Sequence, residues 1–164
     1  MTSFNSAPDE DAAQQQLAQL RQSVLRLLTR REHSQLELRR KLQQKGWPVE
    51  LINEALQWAA EQGWQSEQRF LQSFVRARLA NGDGPLKIIA AGQQKGLSAA
   101  SINETFAELS IDWLQRCQAR RQQRFGEALP SPGREWQRQA RYLQQRGYLP
   151  DQIKHTLATN DVAD

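Results

Sequence analysis

The chain has 164 residues and a single cysteine, Cys117, so it can hold one ordinary domain or three small units but no internal disulfide. No apolar run approaches the ~20 residues needed to span a bilayer, and period-two alternation is absent, so almost no sheet is expected. The net charge is +4, but Asp9, Glu10 and Asp11 near one end and Asp161 and Asp164 near the other leave the body between them at +9, which suits nucleic acid or an acidic protein partner.

Residues 1–16 lack a basic region and an apolar stretch, so they do not form a signal peptide. They are small, polar and acidic, and are expected to be a disordered tail. Helical periodicity begins near Leu17, with Leu20, Val24, Leu27 and Leu28 on one face. Ser34 and Glu37 form a capping box that opens a second helix, which ends at Gly46. Pro48 is placed in the first turn of a third helix, which buries Leu51, Ile52, Ala55, Leu56 and Ala59 and ends near Gly63. A fourth starts at Ser66, with Phe70, Leu71, Phe74, Val75 and Leu79 inward. Asn81-Gly82-Asp83-Gly84-Pro85 breaks the chain before a fifth helix that stops at Gly96. Ser98 caps a sixth, with Ile102 and Phe106, and Asp112 caps a seventh, long and basic, running to about Glu127. After the loop Leu129–Gly133, an eighth helix runs from Arg134 to Arg146 and a ninth from Pro150 to Thr159.

One phrase recurs about every fifty residues: Leu42-Gln-Gln-Lys45-Gly46-Trp47, Gly92-Gln-Gln-Lys95-Gly96-Leu97 and Leu143-Gln-Gln-Arg146-Gly147-Tyr148. Six residues beyond each glycine stands Ile52, Ile102 or Ile153. A fixed period of this length signals a repeated structural unit. Each glycine is read as the left-handed residue just past a helix end, in a Schellman motif that brings the residues before and after it together. In the second copy Leu97 faces Gly92, so that contact is incomplete. The predicted fold is all-α: three tandem three-helix repeats, about nine helices, in an elongated, curved array of right-handed type. The repeats span residues 17–64, 65–110 and 111–159, with a short tail at 160–164.

Chemistry of a catalytic kind finds little support. Gly82-Asp83-Gly84 is too short for a phosphate loop and follows no strand. His33 and His155 lie in different units without metal-ligand spacing. Arg116 and Arg120 near Cys117 could lower its pKa, but a structural thiol is the reading adopted. No catalytic, cofactor or metal residue is assigned. Of the five tryptophans, Trp47, Trp58, Trp113 and Trp136 are read as packing between helices, and Trp64 as an exposed exception.

The ordered motifs resemble the RecX family, regulators of the RecA recombinase. Ser34-x-x-Glu37-Leu38-x-x-Lys41-Leu42 is similar to the family's opening signature. Arg69-Phe70-x-x-Ser73-Phe74-Val75, Gly82-x-Gly84-Pro85-x-Lys87-Ile88 and Lys95-Gly96-Leu97-Ser98 resemble its central stretch. Ile111-Asp112-Trp113, Arg124-Phe125-Gly126-Glu127 and Tyr142-Leu143-x-x-Arg146-Gly147-Tyr148 resemble the enterobacterial-type C-terminal unit. The likeness covers about residues 20–158. The chain departs from the pattern at Ser66-Glu67, where the family has acidic residues, and at Ala91 and Gly92, where it has glutamate and leucine. Gly92 either leaves a gap or lets another helix approach closely.

The resemblance implies a small, non-enzymatic cytoplasmic modulator that binds RecA and RecA–single-stranded-DNA filaments. It would inhibit filament growth, ATP hydrolysis, strand exchange and RecA-stimulated repressor cleavage. Weak direct binding to single- or double-stranded DNA, no membrane and a monomeric state complete the expectation. Basic residues on the first, second, fourth and seventh helices are the candidate contacts. Arg39, Arg40, Arg76, Arg78, Arg116, Arg120 and Arg124 are singled out, the last three as an i, i+4, i+8 stripe on a helix that also carries Arg121. The alternative is a DNA-binding protein of helix-turn-helix type, using the second and third helices. Against it stand Glu50, Glu54 and Glu61, which phosphates would repel.

Overall fold

The computed structural model describes residues 7–158, which form nine α-helices and no strand. These are α1 (Ala7–Arg30), α2 (Gln35–Gln44), α3 (Val49–Glu61), α4 (Glu67–Ala80), α5 (Pro85–Gln94), α6 (Ala99–Glu108), α7 (Trp113–Phe125), α8 (Arg134–Gln145) and α9 (Pro150–Leu157). They gather into two compact units, one up to Ser73 and one from Phe74 onward.

In the first unit α3 packs against α1 and α2. Its core is Leu20 and Val24 from α1, Leu38 and Leu42 from α2, and Ile52, Ala55, Leu56 and Ala59 from α3. In the second, α5 packs on α6, and α7, α8 and α9 pack on one another around Cys117, Leu143, Tyr148, Ile153 and Leu157. Phe106 of α6 meets Trp113 of α7 edge-on, with ring centroids 4.9 Å apart. The recurring isoleucines are all core: Ile52 and Ile102 are fully buried and Ile153 nearly so. Trp64 is exposed, and Trp47, Trp58, Trp113 and Trp136 pack against the cores.

The repeated phrase is a helix terminator in all three copies. Trp47 N–H donates to the Leu42 carbonyl (3.2 Å) and Gly46 N–H to that of Gln43 (2.9 Å). The same pair of bonds links Leu97 to Gly92 and Gly96 to Gln93, and Tyr148 to Leu143 and Gly147 to Gln144. This is the Schellman pattern, and the glycines sit at φ +89°, +84° and +91°, where a Cβ would be strained. α3, α4 and α6 end the same way, at Gly63, Gly82 and Ser110. Helix starts follow the polar signals: Ser34 and Glu37 form the capping box, and Ser98 and Asp112 accept bonds from Ser101 N–H and Gln115 N–H.

Four boundaries differ from the sequence reading. Residues 7–16 continue α1 rather than forming a disordered tail. Alanine and glutamine are good helix formers, and Asp9 and Glu10 oppose the positive N-terminal end of the helix dipole. Pro48 is the extended N-cap of α3, not part of its first turn. α7 stops at Phe125, because Gly126 takes φ +87° before Glu127 is reached. α9 stops at Leu157, and residues 1–6 and 159–164, with the expected C-terminal tail, lie outside the described residues.

Candidate interaction surfaces

The seven singled-out arginines do not form one surface. In the first unit, Arg39 is partly buried and donates from Nη2 to Asn53 Oδ1 across α2 and α3 (3.1 Å), while Arg40 is exposed. The rest lie in the second unit and divide three ways.

Arg76 and Arg116 are exposed and share an open cleft of about 620 Å³. Leu79, Leu109 and Ile111 line it with apolar atoms, and Asp112 supplies its acidic group. The Asp112 carboxylate is engaged as the cap of α7, bonded to Gln115 N–H at 3.0 Å. A smaller cleft of about 230 Å³ continues past Arg116 to Arg120, Gly82 and Tyr148. Arg120 is half-buried there, within 3.1 Å of where a Gly82 Cβ would stand, and donates to Gln123 Oε1. Arg116 and Arg120 of α7 therefore line one cleft.

Arg78 turns away to a buried carboxylate. Asp83 is 0% exposed at its side chain, with Arg78 Nη1 at 3.1 Å, Arg146 Nη2 at 3.5 Å and Lys87 Nζ at 3.6 Å. Three cations surround one buried anion and leave a positive rim, although Asp83 Oδ2 makes no hydrogen bond. Arg146 also donates to the Asn81 carbonyl, and Tyr148 Oη to that of Gly82. Two backbone bonds complete the joint: Gly84 N–H to the Arg146 carbonyl (2.7 Å) and Leu86 N–H to the Gly147 carbonyl (2.9 Å). The approach has no room for side chains. A Cβ on Gly84 would lie 2.4 Å from the Gly147 carbonyl carbon, and one on Gly147 2.5 Å from Lys87 Cβ. The segment Asn81–Pro85, read from sequence as a simple break, is therefore a docking loop for the α8–α9 turn. A hint lay in the third repeat phrase, which carries Arg146 where the others carry Lys45 and Lys95.

Arg124, the third member of the stripe, leaves the clefts. Its guanidinium lies 5.2 Å from the Phe125 ring centroid and 5.8 Å from that of Tyr142. Arg121 is buried and bonds the carbonyls of Gly126, Glu127 and Ala128, closing the loop after α7.

Cys117 is buried, and burial pushes its thiol up rather than down. The neighbouring arginines point elsewhere, so the activated-thiol possibility falls. Tyr148 is likewise pushed up, to about 12, chiefly by burial. Among the described residues no group of three or more His, Cys, Asp or Glu is placed to hold a metal, and no helix is long and apolar enough to cross a membrane.

Fold and surfaces together define an all-helical protein of tandem three-helix domains that presents arginine-lined clefts. The comparisons with known proteins agree in detail. Residues 21–58, 66–105 and 111–157 match the first, second and third three-helix domains of RecX, in that order. The chain is 39% identical over 145 residues to the regulatory protein RecX of Halorhodospira halophila, covering 88% of this chain and 90% of that one. It is 43% identical over 139 residues to the regulatory protein RecX of Pseudomonas savastanoi pv. phaseolicola, covering 85% and 90%. A crystal structure of regulatory protein RecX superposes with a TM-score of 0.75 at 18% identity, covering 95% of this chain and 80% of that one. RecX from Lactobacillus salivarius gives 0.74 at 16%, covering 85% and 93%. The chain belongs to the RecX family, whose members among these relatives are named regulatory proteins.

Proposed function

We propose that the chain regulates RecA without catalysis of its own. It acts in the cytoplasm, binds RecA and RecA–DNA filaments, and inhibits filament extension, ATP hydrolysis, strand exchange and repressor cleavage. Recombinational repair and the SOS response are thereby restrained. The observation that carries this reading is the match to all three RecX domains in order, over most of the chain. The arginine-lined clefts supply a physical means. An apolar floor under Arg76 and Arg116 suits a protein partner with an acidic rim, and basic side chains steer its approach. Several weak patches on one chain add avidity without a deep pocket. The helix-turn-helix alternative gains nothing from α3, whose exposed residues include Glu50, Glu54 and Glu61.

The test is a titration of RecA ATPase on single-stranded DNA. Wild-type protein suppresses turnover at near-stoichiometric ratios. Arg76→Glu/Arg116→Glu, with an unchanged melting temperature, needs at least tenfold more protein for the same effect. ATPase unaffected by wild-type protein defeats the proposal, and equal potency of the variant removes the cleft from it.

A further inference from the structure

The smaller cleft, of about 230 Å³, lies where the end of α4, the middle of α7 and the α8–α9 turn meet. Arg116 and Arg120 line it one helical turn apart, about 6 Å along the axis of α7. Among the described residues no carboxylate lines it. Arg120 Nη1 bonds Gln123 Oε1 at 3.1 Å, but its Nε has no hydrogen-bond partner, and neither has Nε of Arg146. Tyr148, 2% exposed, lines the cleft, and its Oη donates to the Gly82 carbonyl over a long 3.3 Å. Burial first, and then the Cys117 thiol, push the Tyr148 hydroxyl up to about 12 against the pull of Arg146, Arg116 and Arg120. The hydroxyl is therefore a neutral donor at pH 7 within electrostatic reach of three guanidiniums. Beyond it, Arg78, Lys87 and Arg146 outnumber the single carboxylate of Asp83.

We infer that this cleft binds a short phosphate chain, either free pyrophosphate or the diphosphate of a nucleotide. Guanidinium forks bond phosphate oxygens in pairs, and two forks one turn apart suit two linked phosphates. The Tyr148 O–H supplies a further donor on the opposite wall. A side-chain carboxylate fills one fork and leaves the other without an anion. A nucleic-acid strand fits poorly, because each backbone phosphate lies between two sugars while Arg120 and Tyr148 are recessed. The bound chain ties α7 to the α8–α9 turn, which docks on the α4–α5 loop, so it stabilises the folded protein by mass action. Arg116 also lines the larger cleft, so the anion competes there with an acidic partner. That consequence rests on the partner reading; the binding itself does not.

The test leaves RecA out, so this site and the proposed function can fail separately. Calorimetric titration of the full chain with pyrophosphate, at about 0.1 M ionic strength held with chloride, shows one saturable site. The thermal midpoint rises with pyrophosphate and stays put with added chloride. ADP is the second arm: binding tighter than pyrophosphate names a nucleotide as the source, and equal binding names the free anion. Arg116→Gln/Arg120→Gln raises the dissociation constant at least about tenfold, as expected for the loss of charge-assisted bonds. Arg116→Gln alone, at an exposed position, gives a smaller rise and serves if the double variant folds poorly. Arg134→Gln/Arg141→Gln, exposed on α8, removes the same charge elsewhere in this unit and binds as wild type. A wild-type chain with neither heat nor a shift in midpoint at millimolar pyrophosphate overturns the proposal. So does an equal loss in the α8 variant, which would reduce the effect to surface charge. Displacement of pyrophosphate by oligo-dT or polyglutamate at equal charge concentration also overturns it, giving the cleft to a strand or to an acidic protein.

Discussion

Gly46 and Gly147 fill the same slot in two copies of one phrase, at nearly the same backbone angle, yet their surroundings differ. Around Gly46 a Cβ would meet nothing within 4 Å, whereas at Gly147 it would strike Lys87 Cβ at 2.5 Å and Lys87 N at 2.6 Å. Gly46→Ala should therefore cost only the left-handed strain, about 1–2 kcal/mol. Gly147→Ala adds the loss of one or two backbone bonds at the docking joint, for a total of about 3 kcal/mol. Urea unfolding of both variants checks this, and equal losses would mean that the close approach contributes nothing. The strain was legible in the repeated phrase. The crowding was not, because Lys87 and Gly147 are sixty residues apart and nothing local marks their meeting. Asp83 is the same lesson for charge: its partners Arg78, Lys87 and Arg146 are recognisable as a set only after folding.

At the scale of an element, α5 carries Gly92 in its interior, where glycine is a poor helix former. The position is buried, and a Cβ there would stand 2.5 Å from Ile102 Cδ1 on α6 and 3.3 Å from Phe74 Cε1 on α4. Of the two possibilities raised by the sequence, close approach is the one realised. Gly92→Ala gains about 1 kcal/mol of helix propensity but forces an overpacked contact costing ~1–3 kcal/mol. Ile102→Val removes the offending Cδ1, so the double variant Gly92→Ala/Ile102→Val should be more stable than the summed single effects predict, by at least about 1 kcal/mol. A double-mutant cycle in urea reads this directly, and simple additivity would show that α6 yields without strain. Helix ends were largely legible here because caps and terminators are local, whereas the start of α1 was missed. Its residues 8–16 are exposed, so they left no periodic apolar signal to follow.

For the whole molecule, stability against pH turns on a residue that sequence reading set aside as a poor metal ligand. His33 is 1% exposed, its Nδ1–H donates to the Arg31 carbonyl (2.9 Å), and its Nε2 accepts from Lys41 Nζ (2.9 Å). Burial first, and then the charges of Arg31 and Lys41, hold its pKa below the ordinary 6.5. The unfolded chain therefore takes up a proton at a pH where the folded chain still refuses it. Folding stability should fall as pH drops below about 6.5, until the native His33 is itself protonated. His33→Gln should be less stable than wild type at pH 7.5 but lose less between pH 7.5 and 5.5. Urea midpoints at the two values test this, and parallel losses would clear His33 of the effect.

Which arginines serve the fold was the least legible feature of the described residues. Helical spacing put Arg116, Arg120 and Arg124 in one row, but Phe125 and Tyr142 draw the third away. The joint between the α4–α5 loop and the α8–α9 turn has a further consequence. Two of its bonds run from main chain to main chain, so that part of the seam can persist while side chains elsewhere in either domain are exchanged. Exchanging the third domain with that of a distant relative should preserve the seam wherever both glycines are kept, and open it wherever either has acquired a methyl group.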